Sequence, residues 1–287
     1  MNRILVVTAI DVEARTLARH LGLARVPGHG PPLFRGSKFD VACAGPGATQ
    51  ITRLAPLART AGLVVSAGTC GALAPELEVG DLVLPAAVVG PDGRRHGLAT
   101  LPGLEPRGTL LTVRGVVETA EAKAILWRKT AALAVDMESL VIVEWAAALG
   151  LPALVARGVV DTAARGIPAA FAGMVDGHGR TRVGRAIRVV LTRPRSLSDA
   201  LTLGRGTARA LRRVAHTLLS LPDAARNAPA PEGSSGSAPA GPAPEGTSGR
   251  RVERRHATGG GPRGDAMPGL PTGGGYRGGA ADAPPDS

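Results

Sequence analysis

The stretch AVDMESLVIVEWAAALGLPALVARGVVDTA, residues 134–163, decides the reading of the fold. A short apolar entry, Ala134-Val135, runs into two acids around a methionine, Asp136-Met137-Glu138. A helical pattern follows from about Ser139 to Leu149, and Gly150 and Pro152 stop it. Ala153 to Val160 then reads as a buried strand, with Asp161 at its end. The segment is a strand–helix–strand unit with a carboxylate at each strand end. Ligands of open α/β sheets bind at the carboxyl ends of strands. Glu138 and Asp161 are therefore the first candidates for chemistry.

Working outward, Ile4 to Val7 is a continuous apolar run, the mark of a central parallel strand. Thr8-Ala9-Ile10 is the loop after it. A helix starts at Asp11, its expected N-cap, and Gly22 stops it. Glu13 falls in the first turn, near the carboxyl end of strand one. Residues 24–37 form a Pro/Gly loop. Phe39 to Ala44 is a second strand, ended by Gly45-Pro46-Gly47, and a helix is expected from Ala48 to about Thr60. Leu63 to Ala67 is a third strand. It ends in Gly68-Thr69-Cys70-Gly71, read as a loop of small residues that lets a ligand approach backbone N–H groups. Strand-like runs follow at 82–84, 86–89 and 109–113, with a polar loop at 90–108 and a helix over Ala120 to Lys129. The alternation predicts a three-layer α/β/α sandwich around a mixed, mostly parallel sheet.

After Pro168 the character changes. Ten arginines and one acid, Asp199, lie between Arg180 and Arg213, where Leu197, Leu201, Leu211, Val214 and Leu218 mark an amphipathic helical reading. From Pro222 the chain is rich in Pro, Gly, Ala and Ser, the composition of a disordered tail. One domain over 1–221 and a disordered tail over 222–287 are expected.

The net charge of +11 raises the question of nucleic acid, but no helix-turn-helix, zinc-finger or RNA-recognition signature is present, so no specific nucleic acid is expected. Arginine outnumbers lysine 31 to three, which reads as the codon bias of a GC-rich genome. Cys43 and Cys70 have neither CxxC nor metal-ligand spacing, so no metal is expected and a reduced, cytoplasmic protein fits. The N-terminal MNRILVVTAID reads as a first strand rather than an export signal. No apolar run reaches the roughly 18 residues of a membrane span.

Four segments, in order, resemble the purine nucleoside phosphorylase/nucleosidase superfamily: VTAIDVEARTL, SAGTCGALAPELEVGDLVLP, AVDMES and ARGVVDTA. They cover about residues 3–165. The later DTAARGIPAAF and DGHGRTRVGRAIRVVLTRPRSLSDAL are similar to the hopanoid-associated phosphorylase branch, whose members release adenine from adenosylhopane.

The resemblance implies roles. Asp161 becomes the acid that protonates N7 of the leaving purine. Glu138 becomes the clamp on the ribose 2′- and 3′-hydroxyls, with Met137 against the sugar face and Ala9 and Val135 beside the substrate. Glu13 becomes the base that activates water, and Gly68 and Thr69 face the nucleophile. Phosphorolytic relatives carry arginines where this chain has Glu13 and Ser66, so water is favoured and phosphate is the alternative co-substrate. Arg15, Arg35 and Arg53 are the arginines that would supply phosphate with charge. No cofactor is implied. The partners implied are an adenosyl nucleoside, lipid-linked in the narrower reading, and further copies of the chain as a homo-oligomer. Clustered arginines over 180–213 suit peripheral contact with an anionic membrane.

The residues alone also allow blander readings: Asp161 as a helix cap, Glu138 as a charge at a helix N-terminus, Met137 and Trp127 as core, Cys70 as a small filler, His96 as a surface histidine and 180–213 as a solvated face. Arg157 is expected to pair inside the site. Val160 replaces the serine that precedes the family's aspartate. The activities left open are adenine release by water, phosphorolysis of the same bond, a methylthioadenosine or adenosylhomocysteine nucleosidase, and a non-catalytic nucleoside sensor.

Overall fold

The computed structural model describes residues 2–28, 32–165 and 195–223. The chain divides into two compact units, Met1–Ala243 and Pro244–Ser287, and the second lies wholly outside the described residues. So do the tail beyond Asp223 and the first part of the basic stretch, up to 194.

A single mixed sheet organises the described residues. Its strands are β1 (Arg3–Thr8), β2 (Ala24–Arg25), β3 (Leu33–Arg35), β4 (Phe39–Cys43), β5 (Ala61–Ala72), β6 (Leu82–Val83), β7 (Ala87–Val89), β8 (Arg95–Gly97), β9 (Thr109–Thr112), β10 (Ala134–Asp136) and β11 (Ala153–Asp161). The path runs β2-β3-β4-β1-β5-β10-β9-β7-β8, and β11 pairs with β5 and β6. At the centre β4, β1, β5 and β11 are parallel; the short edge strands pair antiparallel. The central runs are apolar because both faces are covered.

Helices α1 (Asp11–His20) and α5 (Arg195–Ser220) cover one face, and α2 (Ala55–Ala58) and α4 (Ser139–Ala148) the other; α3 is Ala120–Thr130. Ile4, Val6, Leu63 and Val65 meet Leu17, Leu211, Val214 and Leu218 on the first face. Leu5, Val7, Val64 and Val155 meet Leu57, Ile142 and Val143 on the second. Each such side chain contributes about 1.5–3 kcal/mol by leaving water. The architecture is the expected three-layer sandwich.

Five local expectations are corrected. The helix expected over 48–60 is two 3₁₀ turns, Pro46–Ala48 and Ile51–Leu54, and the four-residue α2. Gly45, Gly47 and even Ala48 have positive φ (78°, 61° and 53°), which a right-handed helix does not accommodate. Gly68 to Gly71 is not a loop: β5 continues through it, pairing Thr69 with Gly158 and Gly71 with Asp161. The loops expected at 24–37 and 90–108 contain the strand pair β2–β3 and strand β8. The N-cap of α1 is Ile10, not Asp11; Asp11 instead pairs with Arg15 one turn on at 2.8 Å.

The apolar stripe of α5 is spent on the core. Leu211, Val214 and Leu218 are fully buried against the sheet, and of the leucines in this part of the helix Leu219 is the exposed one, at 54%. No described helix is long and apolar enough to cross a membrane.

Candidate active site

Strand ends and helix starts meet at a cleft of about 390 Å³. Ala9, Glu13, Thr69, Val135, Met137, Glu138 and Asp161 all line it. Gly68 does not; it lies behind the cleft, under Glu13 and Arg157.

Glu13 sits in the first turn of α1 because β1 ends at Thr8 and only two residues separate it from the helix. Its side chain is buried and turns back toward the sheet. Oε1 accepts bonds from the Thr69 N–H and the Thr69 hydroxyl, each 2.9 Å long, and Oε2 accepts from the Ile10 N–H at 3.4 Å. The carboxylate is thus held in one place, and the Thr69 hydroxyl that was expected to meet the nucleophile is committed to Glu13. A Cβ on Gly68 would lie 2.6 Å from Arg157 Nη1 and 2.9 Å from Glu13 Oε1, so only glycine lets these groups approach.

Glu138 ends the turn after β10 and is the N-cap residue of α4, yet its side chain does not cap the helix. Asp136 does that: its Oδ2 accepts from the Ser139 N–H at 3.0 Å, while Oδ1 accepts from the Thr112 hydroxyl at 2.7 Å. Glu138 Oε1 instead accepts from the Gly47 N–H at 3.0 Å. Under both acids lies Arg157, fully buried, with Nη2 2.7 Å from Asp136 and 3.9 Å from Glu138. Ser66 and Ser139 complete its shell at 2.9 and 3.1 Å. Ser66 therefore belongs to the support of Arg157. Burial pushes the Glu138 carboxyl up to about 7, against the pull of Arg157.

Asp161 ends β11 beyond an irregularity: Val159 pairs with Cys70 and Asp161 with Gly71, leaving Val160 as a bulge that re-aims the next side chain. Lys123, from the first turns of α3, forms a buried ion pair with Asp161 Oδ2. Oδ1 is the one buried side-chain oxygen or nitrogen among the described residues that has no hydrogen-bond partner. Burial raises the Asp161 pKa and outweighs Lys123, which lowers it. A Cβ on Gly71 would lie 3.1 and 3.2 Å from the two carboxylate oxygens. Gly71→Ala is accordingly expected to displace Asp161 and lower kcat by about tenfold or more with the fold intact, which steady-state kinetics beside a melting curve will show.

The rest of the wall is mostly apolar: Ile10, Val12, Val113, Val116, Val117 and Val135, with Asp136 beside Glu138 and Thr207 brought in by α5. That helix comes close because a side chain at Gly158 would strike Ala210 at 2.6 Å. Cys70 is a lining thiol whose pKa burial raises, a filler and not a nucleophile. Trp127 packs in a satellite of the core with Leu73 and Leu111, and His96 on β8 lies 3.3 Å from Glu144 of α4; neither lines the cleft. Arg15, Arg35 and Arg53 are engaged by Asp11, Asp40 and Gln50 and also lie outside the cleft lining.

Sequence reasoning missed Lys123, Asp136 as the cap and Thr207. Lys123 had a signal: it is one of three lysines in a chain that otherwise uses arginine.

With this geometry in view, the matches to known proteins are informative. The family model described as the Phosphorylase superfamily matches residues 3–104 and 104–192. The chain belongs to the Phosphorylase superfamily. It is an enzyme of that superfamily, acting on N-glycosyl bonds. Solved structures share its fold. The 5′-methylthioadenosine nucleosidase of Arabidopsis thaliana, in apo form, matches with a TM-score of 0.56 and 19% identity, over 78% of this chain and 99% of that one. A mutant of the Helicobacter pylori enzyme MTAN, with 5′-methylthioadenosine in its active site, matches with a TM-score of 0.55 and 17% identity, over 77% and 97%. Futalosine hydrolase of Helicobacter pylori matches with a TM-score of 0.53 and 17% identity, over 76% and 96%. No curated protein matches the sequence.

Proposed function

We propose that this superfamily member is a hydrolytic purine nucleosidase that releases adenine from an adenosyl nucleoside carrying an apolar 5′ substituent, adenosylhopane being the substrate the sequence resemblance favours. One observation carries the reading. Four buried carboxylates, Glu13, Asp136, Glu138 and Asp161, line a single cleft in which the only lining cation among the described residues, Lys123, is already bound to Asp161. Such a cleft suits a sugar that turns cationic as its bond to the base breaks, and it suits a dianionic phosphate poorly.

In the reaction, Glu13 takes a proton from water as its oxygen bonds to C1′. Glu138 accepts the ribose hydroxyls and faces the positive sugar. The C1′–N9 bond breaks, its electrons pass to the purine, and Asp161 gives N7 a proton. Adenine and a 5′-substituted ribose leave. The valines and Met137 of the wall, with Val12 and Val116 partly open to solvent at 43% and 36%, support an apolar group on the ribose. A lipid-borne substrate would bring the enzyme to a membrane face, and the arginines of 180–213 carry charge suited to an anionic surface.

Incubation with adenosylhopane and with methylthioadenosine, each with and without phosphate, tests the reading. Adenine release is expected to be unchanged by phosphate and to yield free ribosyl product. Release that requires phosphate and yields a ribose 1-phosphate would sink hydrolysis.

A further inference from the structure

Lys123 is 1% exposed, yet it reaches the cleft from the interior. Its ammonium donates to Asp161 Oδ2 and to the carbonyls of Thr162 and Arg165, the latter two at 2.8 Å. Those are the three protons an ammonium has. No donor is left for a ligand, so Lys123 acts on the substrate only through Asp161.

The effect on Asp161 is specific. Oδ2 is engaged by Lys123, whereas Oδ1 is buried, unpartnered and bordered by Gly71 at a distance that leaves no room for a side chain. The neighbour in the chain cannot orient the carboxyl, because Val160 has no hydrogen-bonding side chain. The turn that follows β11 is pinned by the same ammonium through Thr162 and Arg165.

Resting on the nucleosidase reading, we propose that Lys123 is a positioning residue for departure of the base: it holds Asp161 by Oδ2 so that Oδ1 alone is presented to the purine. The pair also sets the pH range of the reaction. The titratable groups that face Asp161 are Lys123 from α3 and the Cys70 thiol from β5, which burial holds protonated. Removing the ammonium takes away the one influence that lowers the Asp161 pKa and leaves the burial that raises it. The acid then stays protonated to higher pH, and the alkaline limb of kcat/KM moves upward.

The experiment compares the full-length wild type with Lys123→Met, Lys123→Arg and Asp161→Asn. Adenine release is followed from pH 5 to 10, and adenine binding is measured by calorimetry. Lys123→Met is expected to lose about a hundredfold in kcat, of the order of an acid that is no longer aimed, with KM little changed and the alkaline limb displaced upward. Lys123→Arg, which keeps charge and donors, is expected to recover at least about tenfold of that loss. If Lys123→Met folds poorly, the arginine variant carries the test through its pH limb. A methionine variant within twofold of wild-type kcat and with an unmoved limb overturns the proposal. So does an arginine variant no better than methionine with both folded. If the wild type binds adenine but releases none from any adenosyl substrate, the nucleosidase reading fails. The role of Lys123 is then judged on adenine affinity, where about a tenfold weakening in Lys123→Met upholds it and unchanged affinity overturns it.

Discussion

Asp161→Asn is expected to lower kcat by roughly a hundredfold to ten-thousandfold, the range over which a positioned general acid contributes. The amide keeps the shape and the acceptor oxygen for Lys123, but it has no proton to give. Departure of an unprotonated purine then limits the reaction. Substrate binding, held by Glu138 and the apolar wall, should change little, so the loss falls on kcat and not on KM. The pH profile gives a second check. Burial holds the Asp161 pKa above that of an ordinary aspartate, and the acid works in its protonated form. Wild-type activity is therefore expected to fall as pH rises through that raised pKa, and this limb should vanish in the variant. A variant that retains more than a tenth of wild-type kcat would remove Asp161 from the chemistry.

The second large effect is on stability. Arg157→Met takes a fully buried cation from beneath Asp136 and Glu138 and leaves two carboxylates facing each other without compensation. Breaking a buried ion pair on one side costs about 3–5 kcal/mol. For a domain of this size the melting temperature is expected to fall by about 10 °C or more. The sign of the pH dependence follows from Glu138, whose pKa stands at about 7 in the folded protein against 4.5 for the free side chain. A raised carboxyl contributes stability below about 4.5, and that contribution is lost as pH rises through about 7. Removing Arg157 raises the Glu138 pKa further, since Arg157 is what pulls it down. The variant should thus be damaged more at pH 8 than at pH 5. Thermal melts at the two pH values measure this, and equal losses would show that the network does not carry the charge in the way described.

The legible parts of the sequence were those set by local patterning. Apolar runs such as Ile4–Val7 and Ala153–Val160 marked the central strands because both faces of those strands are covered. The carboxylates at their ends could be read as cleft-facing because strand direction fixes where a carboxyl end points. The illegible parts depend on contacts distant in sequence. Gly68–Gly71 looked like a loop because its glycines are conspicuous, yet they serve the approach of Arg157 and Asp161 from β11 and of Glu13 from α1. The helix expected after Gly47 failed because the positive φ at Ala48 is imposed by its surroundings and not by its own side chain. Asp136 and Glu138 are two residues apart and indistinguishable in type. Only the fold shows that Asp136 caps α4 while Glu138 faces the cleft. Lys123 lay in a helix with no motif around it, and its carboxylate partner is 38 residues away.

The bulge at Val160 bears on how this strand can evolve. Side chains on a strand alternate between faces, so inserting or deleting one residue exchanges them. Val160 occupies the extra place that puts Asp161 opposite Gly71 rather than one step further along β5. Its task is to be counted, and the chemistry of its side chain is secondary. A valine fills that place as well as a serine would, since the pairing on either side is made by the backbone. Its deletion would leave a more regular ladder with the acid still opposite Gly71, but without the local bend that a bulge gives the strand. Between Arg157 and Asp161 the bulge absorbs the extra residue that would otherwise carry the acid one step further along β5.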